Sequence, residues 1–321
     1  MKRTIQVKIE QPSTMDFFSR IPDEASARAY LASGRWPNGV RCIHCGHDQI
    51  YMIRGGKLYD CKQCRKQFTV RTGTVMEDSK IPLQKWIYAM YLMTVSRKGI
   101  SSIQLAKELG ITQKSSWHMA MRIRESCKTT GVLSGTCEAD ETYIGGKEKN
   151  KHASKRLNAG RGGVGKAIVF GVKSRADEKG GGEVRAKVLP LVDRQTLHKA
   201  VKEAVSNGAI LYTDDHRGYY GLKNFRRTAV KHSQGEYVRG KAHTNGIESF
   251  WAIIKRAHTG TFHQWSKKHL SRYVDEFSFK ANTKELPAFD TVGNDCGITT
   301  VRAHMAGMEG RKLTYKQLIA A

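Results

Sequence analysis

Residues 136–146, TCEADETYIGG, open a run in which short apolar stretches alternate with a helical pattern. KAIVFGVKSR (166–175), EVRAKVLPLV (183–192), AILYTDD (209–215) and RTAVKHS (227–233) read as strands, and RQTLHKAVKEAVSNG (194–208) as a helix. This alternation predicts a mixed α/β domain from about residue 132 onward. The basic stretch KEKNKHASKRLNAGRGGVGK (147–166) between the first two strands is expected to be a long loop that orders on a polyanion. Its GRGGVGK resembles a phosphate-binding loop, but Ala167 stands where Ser or Thr would ligate Mg²⁺, and a strand follows instead of a helix. It is read as a cationic loop.

Three acidic residues stand at or near element ends. Asp140 lies in a strand position where alternation favours an apolar or neutral residue, Asp214 closes AILYT, and Glu248 opens the helix IESFWAIIKR. On that helix Trp251, Ala252 and Lys255 follow Glu248 at i+3, i+4 and i+7, so a carboxylate and an ammonium share one stripe. Two-metal phosphoryl transfer needs carboxylates converging from separate elements, because two hard cations about 4 Å apart must be held while the phosphate bridges them. Each residue also has a plain structural reading. Asp140 can pair with a Lys, Asp214 can be a turn residue, and Glu248 can close a capping box with Asn245 as N-cap.

Upstream, KIPLQKWIYAMYLMTVSRKG (80–99) puts Leu83, Trp86, Ile87, Met90, Tyr91 and Met93 at helical spacing. In ISSIQLAKELGITQKSSWHMAMRIRE (100–125), Ser101 caps one helix, Gly110 takes the turn and a second helix starts at Thr112. The pattern predicts a helix-turn-helix over 80–128, with Gln113, Lys114, Ser116 and His118 near base edges. Its plain alternative is a helical hairpin with a solvated basic face.

Further upstream, Cys42, Cys45, Cys61 and Cys64 form a C-x2-C, x15, C-x2-C array with Gly55-Gly56 midway between the pairs. That spacing predicts a zinc ribbon at about 38–70, within an N-terminal region of 1–72, holding a structural Zn²⁺ with four thiolates and no open position. His44 and His47 beside the first pair are alternative ligands. Cys127, Cys137 and Cys296 are read as ordinary buried thiols.

The 321 residues (36.0 kDa) carry 55 Lys and Arg against 29 Asp and Glu, a net charge of +26. Such an excess points to double-stranded nucleic acid before any small acidic metabolite. With 39% hydrophobic residues and 6 Pro the chain is expected to fold. The absence of a long apolar run or secretory leader predicts a soluble, cytoplasmic protein with no membrane partner.

EADETYIGGKEKNKH, LYTDDHRGY and the block GEYVRGKAHTNGIESFWAIIKRAHTGTFHQWSKKHLSRYVDEFSFKAN (235–282) resemble the motifs of bacterial insertion-sequence DDE transposases that carry an N-terminal zinc ribbon and are related to Merlin elements. The resemblance runs from the ribbon to about residue 283. It implies a multidomain α/β protein with a ribonuclease-H-like catalytic domain over 132–283 and a prokaryotic, nucleoid-associated setting. Asp140, Asp214 and Glu248 would hold two Mg²⁺ or Mn²⁺, with Asn245 as the alternative third residue, and Lys255 and Arg256 would hold element-end DNA. It further implies cleavage at terminal repeats, transfer of the 3′-hydroxyl to target DNA, and a homodimer or larger assembly on DNA. A regulator without catalysis and a metal-dependent nuclease are the rival classes. Strand alternation puts Glu138 beside Asp140 as a support and turns Glu141 away; Asp214 is preferred over Asp215. Residues 284–321 receive no assignment beyond a loop through Met305 and a short terminal helix.

Overall fold

The computed structural model describes residues 11–146, 148–157, 163–176, 182–230, 236, 238–290 and 299–320. Asp295, Cys296 and residues 160–162 of the glycine-rich loop lie outside these. Backbone contacts divide the chain into two units, Met1–Cys127 with Thr283–Ala321, and Lys128–Asn282.

The first unit begins with α1 (Thr14–Arg20) and α2 (Glu24–Arg35), which the sequence reading did not anticipate. Ser13 and Asp23 cap them by accepting the backbone N–H of Asp16 and Ser26, contacts worth roughly 1 kcal/mol each. The ribbon follows as an antiparallel sheet of β1 (Ile50–Ile53), β2 (Leu58–Cys61) and β3 (Gln67–Phe68). Tyr59 stacks on Phe68 over its small core.

Then come α3 (Leu83–Val95), α4 (Ser102–Leu109) and α5 (Gln113–Ser126). The α3 pattern predicts one apolar face, yet every residue from Trp86 to Met93 is buried. Helices pack around it on several sides, so Tyr88, Ala89 and Leu92 also enter the core. Gly110 ends α4 in the left-handed region at φ 57°, where an L side chain is strained, and Thr112 caps α5.

The second unit holds β4 (Thr136–Ile144), β5 (Ala167–Ser174), β6 (Val184–Leu189), α6 (Arg194–Ala204), β7 (Ile210–Asp214) and β8 (Arg226–Val230). The sheet order is β6-β5-β4-β7-β8. Strands β4, β5 and β6 form an antiparallel meander, while β7 runs parallel to β4 and β8 parallel to β7. Cys137, Ala139, Phe170 and Val172 pack with α6 residues on one face. The opposite face carries α7 (Asn245–Ala257), with Trp251 against Gly171; a Cβ there would lie 2.6 Å from the indole. A π-helical turn, His258–Phe262, leads on toward α8 (Leu270–Asn282), which packs on β6.

Thr283–Ala321 then returns to the first unit. Where a loop through Met305 is expected, Thr300–Gly307 forms α9, capped by Thr299, whose hydroxyl accepts from Arg302 N. Eight residues after a Gly-containing stretch give little periodicity to read, and packing of Val301 and Met305 into the first unit's core stabilises them. Buried Asp290 accepts from Tyr30 Oη at 3.0 Å and Arg302 Nε at 2.6 Å. Helix α10 (Tyr315–Ala320) ends the described chain.

Candidate functional site

Asp140, Glu141 and Asp214 each offer a carboxylate oxygen to a group whose members lie within 4.8 Å of one another. The strand register explains the meeting. The β4 to β7 ladder ends at the pair Glu138 and Tyr212, whereas β4 continues to Ile144 and β7 to Asp214. Beyond Glu138, β4 has a free edge toward the end of β7, and carboxylates from both strands gather there.

That free edge also corrects the expectation for Glu141. Alternation does aim its Cβ to the α6 side, where Tyr219 lies in the core and donates its hydroxyl to the Glu141 carboxylate. With no strand among the described residues paired to this part of β4 on the β7 side, the long side chain still reaches Asp140 and Asp214. Alternation fixes the direction of Cβ, and the two bonds beyond it decide where a Glu head group ends.

Asp140 accepts from Trp251 Nε1 at 3.0 Å, and Asp214 Oδ1 accepts from His216 N at 3.1 Å. Burial pushes the Asp140 carboxyl up to about 6, and the Asp214 and Glu248 charges add to the rise. Burial pushes Glu141 up to about 8, against the lowering effect of the Tyr219 hydroxyl. Clustered carboxylates, two of which burial makes costly to ionise, are a donor set suited to hard divalent ions.

Glu248 sits on the exposed side of α7 and accepts from Thr244 Oγ1 at 2.7 Å. It lies outside the three-carboxylate group but close enough for its charge to act on Asp140. Thr244, not Asn245, is the N-cap residue, and Asn245 is the exposed first residue of α7. Lys255 lines an open cleft of about 780 Å³ together with Glu141, Tyr143, Lys166 and His258, and Arg256 beside it is exposed.

In the ribbon, the Sγ atoms of Cys42 and Cys64 are 3.6 Å apart, as are those of Cys45 and Cys61. All four lie within 4.8 Å of one another. Zn–S bonds of about 2.3 Å in a tetrahedron require S···S separations of about 3.8 Å, so the four thiols fit a structural Zn²⁺. The neighbouring histidines are engaged otherwise: the His44 ring lies edge-on to Phe68, and His47 faces Asp48 at 4.0 Å.

On α5, Gln113 and Lys114 are exposed, but Ser116 is fully buried and His118 half-buried. His118 Nε2 is 3.3 Å from the Leu313 carbonyl, and its ring meets Tyr315 edge-on. Lys114 Nζ stands 4.8 Å over the same Tyr315 ring. Part of the surface expected to face base edges is therefore covered by the chain's own C-terminal segment. From Met119 to Ser126 every residue of α5 is buried.

No helix among the described residues is long and apolar enough to cross a membrane. Residues 132–282 match the ISXO2-like transposase domain, and residues 22–67 match the transposase zinc-ribbon domain, which thus starts near α2. A Halobacterium salinarum protein described as an uncharacterized protein in transposable element ISH50 is 30% identical over 284 residues, covering 82% of this chain and 92% of its own. A Haemophilus influenzae protein described as an uncharacterized transposase-like protein is 30% identical over 106 residues, 32% of this chain and 85% of its own. With the carboxylate group inside the first match and the four thiols inside the second, the chain belongs to the ISXO2-like transposase family.

Proposed function

We propose that the protein is a DDE transposase that binds the ends of an insertion element as double-stranded DNA, cleaves there with divalent metal and transfers the freed 3′-hydroxyl to target DNA. The observation that carries this reading is the convergence of Asp140, Glu141 and Asp214 at the free edge between β4 and β7. The sheet order, a meander followed by two parallel strands, supports a ribonuclease-H-like domain. The Gly110 turn between α4 and α5 supports a helix-turn-helix reading of that pair.

Asp140 and Asp214 would hold two Mg²⁺ or Mn²⁺, with Glu248 completing the set from α7 and Asn245 as its alternative. Glu141 joins the group as a fourth carboxylate. Bound there, the ions supply Lewis-acid activation of the attacking oxygen and neutralise charge on the leaving one. Trp251 orients Asp140 by its hydrogen bond, and Tyr219 does the same for Glu141. Lys255 and Lys166 along the cleft bind phosphate oxygens, and Arg256 extends the cationic surface. Gln113, Lys114 and His118 are kept as candidate DNA contacts, with His118 needing release from Leu313 and Tyr315. Joining two ends in one event calls for a homodimer or larger assembly on DNA, in a prokaryotic cytoplasm at the nucleoid.

The test uses a supercoiled plasmid carrying the gene with its native flanks, purified protein and Mg²⁺ or Mn²⁺. Breaks at inverted-repeat ends with joined products, both lost in Asp214→Asn, are expected. Breaks without joining would indicate a nuclease, and binding without metal-dependent breaks a regulator.

A further inference from the structure

Glu138 is 2% exposed and stands two residues before Asp140 on β4, on the face that carries α7. A carboxylate buried to that depth is strongly unfavourable unless it is paired and hydrogen-bonded. Its Oε2 accepts the backbone N–H of Gly246 at 2.7 Å and of Ile247 at 3.1 Å, in the first turn of α7. Its Oε1 accepts from Arg175 Nε at 2.8 Å, and the His243 ring stands beside it with Nδ1 3.3 Å away.

The remaining Arg175 donors hold the Lys241 carbonyl at 2.7 Å and the His243 carbonyl at 3.0 Å, on the segment entering α7. Lys173 Nζ donates to the Gly246 carbonyl at 3.1 Å. A second tie follows within the next two turns, where Trp251 Nε1 donates to Asp140. Glu248 lies between the two ties and takes the hydroxyl of buried Thr244. A Cβ on Gly246 would stand 2.7 Å from Glu138 Oε2, so a side chain there would displace the carboxylate.

We propose that Glu138 is a positioning residue for the metal site: by holding the first turn of α7 on β4, it sets where the Glu248 carboxylate stands relative to Asp140. This rests on the reading of Asp140 and Glu248 as metal ligands. Apolar packing is non-directional, whereas hydrogen bonds name which backbone groups of the helix stand where. Two backbone donors on one carboxylate oxygen fix its register. Mg²⁺ demands near-ideal octahedral geometry, so a displaced ligand penalises it severely.

The test measures DNA cleavage by the full chain over titrations of Mg²⁺ and Mn²⁺ for wild type, Glu138→Gln, Gly246→Ala and Asp140→Ala, with thermal melting and DNA binding alongside. Glu138→Gln is expected to raise the Mg²⁺ concentration at half-maximal rate about tenfold or more, the range for partners of metal ligands. The loss with Mn²⁺ should be clearly smaller, and DNA affinity unchanged. An unchanged half-saturating Mg²⁺, with rates falling in equal proportion for both ions, would mean a purely structural role and overturn the proposal. Gly246→Ala disturbs the same contact from the helix side, and it decides the question by the same criterion if Glu138→Gln fails to fold. Cleavage retained by Asp140→Ala would overturn the underlying reading, a result distinct from an inert Glu138→Gln beside a dead Asp140→Ala.

Discussion

Tyr219, fully buried beneath α6, points its hydroxyl at Glu141, so the side chain that sequence alternation turns away from the site is anchored from the core side of the sheet. Removing the donor in Tyr219→Phe leaves Glu141 buried without its main stabiliser and raises its proton affinity further. A hydrogen bond to a charged group contributes roughly 1.5–3 kcal/mol, so Mg²⁺ affinity at neutral pH should fall about tenfold. The deficit should shrink toward pH 9, as protons compete less. Metal titrations of cleavage at several pH values check this, and a deficit independent of pH would sink it.

Stability should depend on pH with a defined sign. Asp140 is raised to about 6 and Glu141 to about 8, both above their ordinary values near 4. The metal-free folded state therefore binds more protons than the unfolded chain between about pH 4 and 8. The contribution from these groups is complete below about pH 4 and is lost as pH rises through 6 and 8. Glu141→Gln should gain stability relative to wild type over that range in melting curves without metal. Adding Mg²⁺ or Mn²⁺ should stabilise wild type more at pH 8 than at pH 5.

Zinc should be present at one ion per chain and be lost in Cys61→Ser, measured by metal analysis of the purified protein. Structural zinc contributes on the order of 10 kcal/mol to folding in small modules. Residues 40–70 should therefore lose hydrogen-exchange protection on chelation while the β4–β8 sheet keeps its own. A ribbon that stays protected without metal would contradict the four-thiolate site.

DNA affinity should fall steeply with salt, as expected for a chain of net charge +26. Lys255→Ala should reduce the slope of log affinity against log salt by about one, and the loss should be similar on any sequence. Base-specific loss at one position of the terminal repeat would instead make Lys255 a reader of sequence.

A chain ending at Arg311 loses the Leu313 carbonyl and the Tyr315 ring that hold His118. Burial is the main cause of the lowered His118 pKa and the Leu313 carbonyl only partly offsets it, so exposing the ring by truncation should raise the pKa toward its ordinary value near 6.5. An NMR titration of the imidazole reads this directly.

Much of the architecture was written in local pattern. The cysteine spacing, the Ser101 cap, the turn at Gly110, the helix start near Thr112 and the strands around Asp140 and Asp214 all depend on neighbours within a few residues. What depends on distant partners was hidden. Glu141 reaches the site because a ladder stops at Glu138, a fact of pairing between strands far apart in the chain. The all-round burial of α3 and the cover on His118 both involve residues beyond 300, and nothing in KIPLQKWIYAM or SSWHM announces them.

The inserted arrangement of the two units orders events during synthesis. Strands β4 to β8 and helices α7 and α8 leave the ribosome before Val301, Met305 and Met308 can fill the core around Trp86. A chain that stops between Asn282 and Val301 carries every strand of the sheet but lacks the residues that fill the first unit's core.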